Sequence, residues 1–439
     1  MKAAGPEVVV LGAGLAGMAA AYQLRDRDLA VLEELDRVGG RTLSFPHGEY
    51  WYNLGAQFVW DKRTLALCAE LGVQVLDAKG AHAAAVMNGQ LVAASNPYML
   101  FLKLPLPLAD RWDLARTILR LNRLAARMPK LDSRRLDDQS LAELMGPTRP
   151  LTKKVVDLVT ESGCGLDSDE VSGWIGLGYS THLFGGDVNG TLKQVYGGTQ
   201  EISKAIAARI DPERVVLGAR IASVKVDPGG VEVAYTQDGR EEVLRARVCV
   251  VALPAPEVMR VLTGLPAEKA QALERIGEYA PVVATAWLTA ERGPMPWDRL
   301  LAVPVIGDHS FEQLSNNAFF IRGQHEGRHP GGTLVTLSTC ARAERLMNID
   351  DGAVRERVGA DLERFFPAAV DVLRAADVKV KRWHALVPFR RGWLRDQAAV
   401  RAPAGPLLFC GDYTAQPGTP GAAGSGYHAG RAALELLDA

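Results

Sequence analysis

The chain has 439 residues, 50 basic and 51 acidic side chains for a formal net charge of −1, and a 48% hydrophobic composition. Charge this balanced gives no general attraction for nucleic-acid phosphates or an anionic membrane, so nucleic acid is not expected as a partner and any charge-steered partner must meet a local patch. The five cysteines, Cys68, Cys164, Cys249, Cys340 and Cys410, are widely spaced and form no CxxC pair, which argues against a disulfide framework and a zinc site; no metal is expected.

The β-branched run Glu7-Val8-Val9-Val10-Leu11 predicts a buried parallel strand. It leads into Gly12-Ala13-Gly14-Leu15-Ala16-Gly17, and an alanine-rich helical stretch follows over residues 18–25. As a signal peptide this region would have its apolar centre broken by three glycines, so a cytoplasmic protein is expected. No run reaches the roughly 18 apolar residues of a spanning helix. Between strand and helix the GxGxxG spacing has a physical use: Gly12 permits the tight turn, Gly14 lets a diphosphate approach the backbone, and Gly17 lets helix pack on strand. The helix N-terminus then faces the phosphates. A second strand over residues 29–32 ends in Glu33, roughly 20 residues beyond the glycines, where a carboxylate accepts both adenosine ribose hydroxyls and disfavours a 2′-phosphate. Next, Asp36-Arg37-Val38-Gly39-Gly40-Arg41-Thr42 places another anion-friendly turn beside the same diphosphate, with Arg41 as counter-charge. This second turn separates FAD from NAD. The joined pattern of GxGxxG, Val31-Leu32-Glu33 and Gly39-Gly40-Arg41 resembles the flavin amine oxidase superfamily, which includes monoamine oxidases, amino-acid oxidases, protoporphyrinogen oxidases and phytoene desaturases.

The resemblance implies an α/β fold, with a Rossmann-like FAD-binding domain at residues 1–75, 195–255 and 385–439. A second, mixed sheet-plus-helices substrate domain is expected at residues 76–194 and 256–384. Asn53-Leu54-Gly55-Ala56-Gln57-Phe58-Val59 is similar to the family segment that passes the flavin ring, small Gly55 and Ala56 allowing close backbone approach. Pro97 to Leu108 is apolar and proline-punctuated; it reads as a buried loop, with a hydrophobic lip or a monotopic membrane contact as alternatives. Residues 110–128 predict a helix with Leu114, Ile118, Leu121 and Leu124 opposite Arg116, Arg120, Arg123 and Arg127, the arginines read as a solvated face. The segment from Val171 to Tyr179 resembles the monoamine oxidase segment that lines the substrate cavity. Ile175 and Tyr179 would then face the ligand, with Gly176 and Gly178 leaving room; a core helix is the alternative.

Gln194 to Ile202 resembles the paired-glycine turn that re-enters the FAD domain. In the family a residue matching Ile221 packs on the adenine, though an ordinary core residue fits that position equally, and the strand ending at Ala252 leads out to the substrate domain. Leu407 to Thr414 reads as a strand ending in Gly411-Asp412, followed by Gly421-Ala422-Ala423 opening a helix. That helix N-terminus would stabilise the negative charge developing on a reduced flavin, and Asp412 resembles the residue that bonds the ribityl or phosphate region. Two departures stand out. Ala284 falls where the family often carries a lysine near the flavin, which suggests slower oxygen use or a different acceptor, and Gly421 takes the place of one member of the aromatic pair that flanks an amine. Trp383 resembles the family tryptophan beside the flavin, and His384 is the histidine to test as a proton acceptor. No cysteine lies in that loop, so FAD is expected without a covalent link. The expected activity is removal of a hydride from an amine or amino-acid-like substrate, a small molecule of apolar or aromatic character. The alternative is a desaturase or dehydrogenase of an apolar substrate, of the protoporphyrinogen oxidase or carotenoid desaturase type.

Overall fold

The structure, a computed structural model, describes residues 5–184, 192–322 and 329–438. Its first sheet is five parallel strands in the order Leu407–Phe409, Val248–Val251, Val8–Leu11, Leu29–Glu33 and Val215–Leu217. All four residues of the central strand Val8–Leu11 are fully buried, as a parallel strand covered on both faces requires. The N-terminal helix, Leu15–Gln23, makes the crossover to Leu29–Glu33. A three-stranded antiparallel sheet, Arg220–Asp227, Gly230–Gln237 and Arg240–Ala246, stands beside it.

A seven-stranded mixed sheet forms the second unit, in the order Asp377–Leu386, Ala280–Thr289, Gly332–Thr339, Gln313–Asn316, Ala302–Ile306, Ala83–Met87 and Gln90–Ala94. The helices Leu108–Arg127, Pro150–Cys164 and Gly173–Phe184 pack on one another at its side. The parallel and mixed sheets together match the α/β architecture expected. Residues 76–194 contain strands as well as helices, the alanine-rich Ala83–Met87 pairing with Gln90–Ala94 in a hairpin; its turn rests on Asn88 and Gly89, both with positive φ. Residues 97–108 are not a buried loop: Pro97–Lys103 is a helix, and Tyr98, Met99, Leu102 and Leu108 are exposed.

The C-terminal helix, Gly418–Asp438, begins three residues before Gly421 and lies along the N-terminal helix. A Cβ at Gly426 would stand 2.0 Å from the Ala16 carbonyl oxygen, and one at Gly430 2.7 Å from that of Ala20. Backbone thus packs on backbone, with the two helices parallel. At the level of Ala16, one residue into its own helix, the C-terminal helix is already eight residues past Gly418, so its N-terminus projects about 10 Å beyond that of its neighbour. This offset depends on the missing side chains. Gly426→Val forces the helices apart and is expected to cost about 3 kcal/mol and most of any bound cofactor. Gly424→Ala, whose Cβ would meet only Arg63 Nη1 at 3.8 Å, is expected to be neutral or slightly stabilising. Thermal denaturation of the two variants checks both outcomes.

Candidate active site

The turn after the first strand works as its glycines dictate. Gly12 has φ 95° and a Cβ there would meet the Ala252 carbonyl at 3.1 Å; at Gly17 it would lie 1.9 Å from the Gly12 carbonyl. Ala252 is the floor on which both glycines rest. Gly14 caps the N-terminal helix without a side chain, and a Cβ on it would meet nothing within 4 Å. The amides of the first helical turn, at Leu15, Ala16 and Gly17, therefore open onto free space next to bare backbone, an arrangement suited to an anion.

Glu33 ends the second strand with one carboxylate oxygen accepting from Ala13 N at 2.6 Å and the other from Leu35 N at 3.0 Å. Burial raises its pKa, and those two amides work against the rise. Each oxygen retains a lone pair for a ribose hydroxyl. The second turn docks on the first: Gly39 N donates to Ala13 O at 2.8 Å, and a Cβ on Gly40 would stand 3.2 Å from Gly14 Cα. Gln200 stitches this turn from behind, donating to Val38 O at 2.8 Å and accepting from Ser44 N at 3.1 Å. The re-entrant pair is tied in as well, since a Cβ at Gly198 would strike the Ser44 side chain at 2.4 Å.

Arg41 has a different partner from the one expected. Its Nη1 and Nη2 donate to Asp412 Oδ2 and Oδ1 at 2.9 and 2.8 Å, and Nη1 also donates to Ala385 O at 2.6 Å. Its guanidinium lies 5.5 Å from the Tyr279 ring centroid. Burial disfavours the charge, but the Asp412 carboxylate outweighs it and holds the pKa above the ordinary arginine value. Beside Glu33 it is Arg37 that has an unmade bond: its Nη1 is buried without a hydrogen-bond partner, and burial lowers its pKa against the pull of Glu33. An orphaned guanidinium nitrogen near Glu33, together with the open helix N-terminus at Gly14, fits a dinucleotide diphosphate. The motif pattern falls on Arg41, so sequence reasoning alone misses Arg37.

The turn from Leu54 to Phe58 follows the strand Tyr50–Asn53. A Cβ on Gly55 would sit 2.0 Å from Arg41 O, so the chain passes here only as glycine. Ala56 N donates to Arg41 O at 3.0 Å, and Gln57 Nε2 donates to Asn53 O and Gly55 O at 2.9 and 2.8 Å. Trp383 Nε1 donates to Leu54 O at 2.6 Å, Thr199 Oγ1 to Ala56 O at 2.7 Å and Thr419 Oγ1 to Phe58 O at 3.2 Å. The turn is thus held from three sides. Thr419 also brings it to the start of the C-terminal helix, where Ala422 is half-exposed and Ala423 buried. Gly411 has φ 142°, and a Cβ at Gly421 would lie 1.7 Å from Gln416 O. No aromatic residue fits at position 421.

Around Trp383 the structure sorts the remaining candidates. Lys381 lies two residues earlier on the same strand face, its Nζ 4.6 Å from the Trp383 ring centroid and its Cα opposite that of the buried Ala284; alternation along the strand is the signal for it. His384 points to the other face, is exposed, and has only a 3.4 Å contact with Tyr279 O. It is not placed to share a substrate with Trp383. Tyr179 lies against the end of the helix Pro150–Cys164, where a Cβ on Gly163 would overlap its ring, and burial raises its pKa. Ile175 is buried in the core cluster with Leu141 and Phe389, and Ile221 in the same cluster near Leu32. Gly176 leaves no room for a ligand, since a Cβ there would meet Val171 and Leu141 at 3.0 and 3.2 Å. Cys410 is fully buried and its thiol is pushed up to about 12 by burial, so it is not a nucleophile.

The family model described as flavin containing amine oxidoreductase matches residues 15–434. AofH of Mycobacterium tuberculosis, whose name describes a flavin-containing monoamine oxidase, is 31% identical over 268 residues, which cover 56% of this chain and 57% of AofH. The chain thus spans little more than half the length of the curated relatives it matches. Among solved structures, a putrescine oxidase bound to putrescine superimposes with a TM-score of 0.78 at 21% identity, covering 99% of both chains. A cyclohexylamine oxidase from Brevibacterium oxydans gives 0.76 at 19%, again over 99% of both. These likenesses show the fold.

Arg37→Gln is expected to weaken flavin binding about tenfold by removing one charge-assisted contact, while leaving the thermal midpoint of flavin-free protein unchanged or slightly raised. Fluorescence titration with flavin and thermal denaturation without it separate the two effects.

Proposed function

The chain belongs to the flavin containing amine oxidoreductase family, and from that premise we propose that it is an amine oxidase that holds FAD without a covalent bond. The observation that carries the reading is the pair of parallel helices offset by about 10 Å. One opens at Gly14 on the side of the orphaned Arg37, the other at Gly418 beside the Leu54–Phe58 turn, so the two helix N-termini would hold the diphosphate and the ring end of an extended dinucleotide. A bound flavin supplies the two-electron acceptor that no side chain provides.

What the protein itself does follows from its own groups. The positive end of the C-terminal helix stabilises negative charge beside it. Trp383, locked by Leu54 O, orients whatever lies between it and the ring. A non-covalent cofactor is supported by the absence of a cysteine in residues 383–389 and by the burial of Cys410. Substrate choice is read from Trp383 with the Lys381 cation over its ring, a pair that favours an amine with an apolar or aromatic body over one with a second charge. With His384 turned away, the amine loses its proton to water before reaching the ring.

The second reading, a dehydrogenase of an apolar substrate that is not an amine, is favoured by the buried alanine at 284 and by the steric exclusion of an aromatic residue at 421. One experiment decides. Under nitrogen, apolar monoamines such as benzylamine and cyclohexylamine should bleach the flavin bands, with a diamine less effective, and air should restore colour with release of peroxide. Failure of every amine, together with turnover of an apolar non-amine using a quinone acceptor, would replace the first reading with the second.

A further inference from the structure

The helices Pro97–Lys103 and Leu108–Arg127 have two apolar faces. Inward, Leu100, Phe101, Leu104, Leu114 and Ile118 pack with Val155, Leu158 and Ile306. Outward, Leu108 is 84% exposed, Tyr98 78%, Trp112 73% and Leu102 63%. A solvated helix puts polar residues on its outer face, and large apolar side chains gathered there mark a contact surface. The segment is also rigidly built. Asn96 caps the first helix by accepting from Met99 N at 2.9 Å, and Arg111 closes the corner by donating to Phe101 O at 2.6 Å and Leu104 O at 2.9 Å.

Charge identifies what the surface meets. Leu108, Trp112 and Leu119 share one stripe of the second helix, and the stripe continues as the exposed Arg116, Arg120, Arg123 and Arg127. Residues 97–130 hold seven basic side chains against two acidic ones in a chain whose net charge is −1. Both acids are already engaged, Asp110 with Arg149 and Asp113 with Arg116 and Arg149 N. Lys103, Arg120, Arg123, Arg127 and Lys130 form no ion pair among the described residues. A second copy of the chain would oppose these cations with the same cations across a two-fold interface. An anionic bilayer accepts both features, leucine and aromatic side chains entering the interfacial zone and cations resting at the phosphates.

We propose that this face docks the protein on an anionic lipid surface. The protein lies on the bilayer and does not span it through this face; among the described residues no helix is long and apolar enough to cross a membrane. Leu108–Arg127 packs on Gly173–Phe184, so docking brings the lipid within one helix of the segment that carries Tyr179. The proposal does not depend on the oxidase reading.

Vesicle sedimentation with the full chain tests it, using phosphatidylcholine alone and phosphatidylcholine with about one-third phosphatidylglycerol. The expected result is binding to the anionic vesicles only, reversed by raising salt from about 0.1 to about 0.5 M. Leu108→Ser with Trp112→Ser, and separately Arg120→Gln with Arg123→Gln and Arg127→Gln, should each lower binding more than about tenfold, the arginines contributing about fivefold apiece. All these side chains are exposed, so thermal midpoints should stay unchanged. Absence of binding, or equal binding to neutral vesicles, overturns the proposal. So does a dimer by light scattering that becomes monomeric in the Leu108→Ser/Trp112→Ser variant while vesicles sediment no protein, which would assign the face to self-association.

Discussion

A bidentate ion pair between Arg41 and Asp412 joins the two ends of this chain. Arg41, in the turn after the second strand, is gripped by Asp412, in the turn after the last one, with 371 residues between them. Each turn is braced locally, the first by Gln200 and Thr42 and the second by Ser425 and Thr414, while the ion pair fixes one turn against the other. Removing either partner would leave a partly desolvated charge unpaired, at a cost on the order of 2 kcal/mol after allowance for the exposure of Arg41. The consequence for function is larger than the energy. Arg41 O also receives Ala56 N, and Arg41 Nη1 reaches Ala385 O, so one residue sets the positions of the Leu54–Phe58 turn, the Trp383 strand and the C-terminal helix together.

The helix contact below this clamp converts position into electrostatics. Because Gly426 and Gly430 let backbone meet backbone, the two helices start at different heights but on the same side of the parallel sheet. Two positive helix ends then stand on one side of the sheet, and under the proposed function the first would hold a fixed negative charge while the second would stabilise one that arises only during reaction. The small residues that look featureless in the C-terminal sequence, among them Ala422 and Ala423, are what this requires. At position 421 a clash with Gln416 O excludes an aromatic side chain, which under the proposed function would limit the amines the site could grip.

Much of this is legible in the sequence because backbone-dictated features leave residue signatures. Gly12, Gly14, Gly17, Glu33, Gly39 and Gly40 stand where turn geometry and strand length require them, and the strands at Val8–Leu11 and Val248–Val251 announce themselves by unbroken apolar runs. Pairings across hundreds of residues leave no local trace, which is why Arg41 reads as a counter-charge and Arg37 escapes notice. The hairpin at Ala83–Met87 is hidden because alanine carries little strand preference. His384 draws attention through its neighbour Trp383, yet adjacent strand residues face opposite ways. Gly176 looks like room for a ligand and is instead room for Leu141. The apolar stretch at 97–108 reads as buried because hydrophobicity alone does not distinguish a covered face from one awaiting a partner.

The clamp is tested most directly by a double-mutant cycle on Arg41→Ala and Asp412→Ala, read as the flavin dissociation constant by fluorescence quenching. If the pair organises the cradle, each single variant should weaken binding about a hundredfold and the double variant no more than the worse single, a coupling of about 2.7 kcal/mol. Losses that multiply in the double variant, or flavin affinity that survives either substitution, would contradict the account.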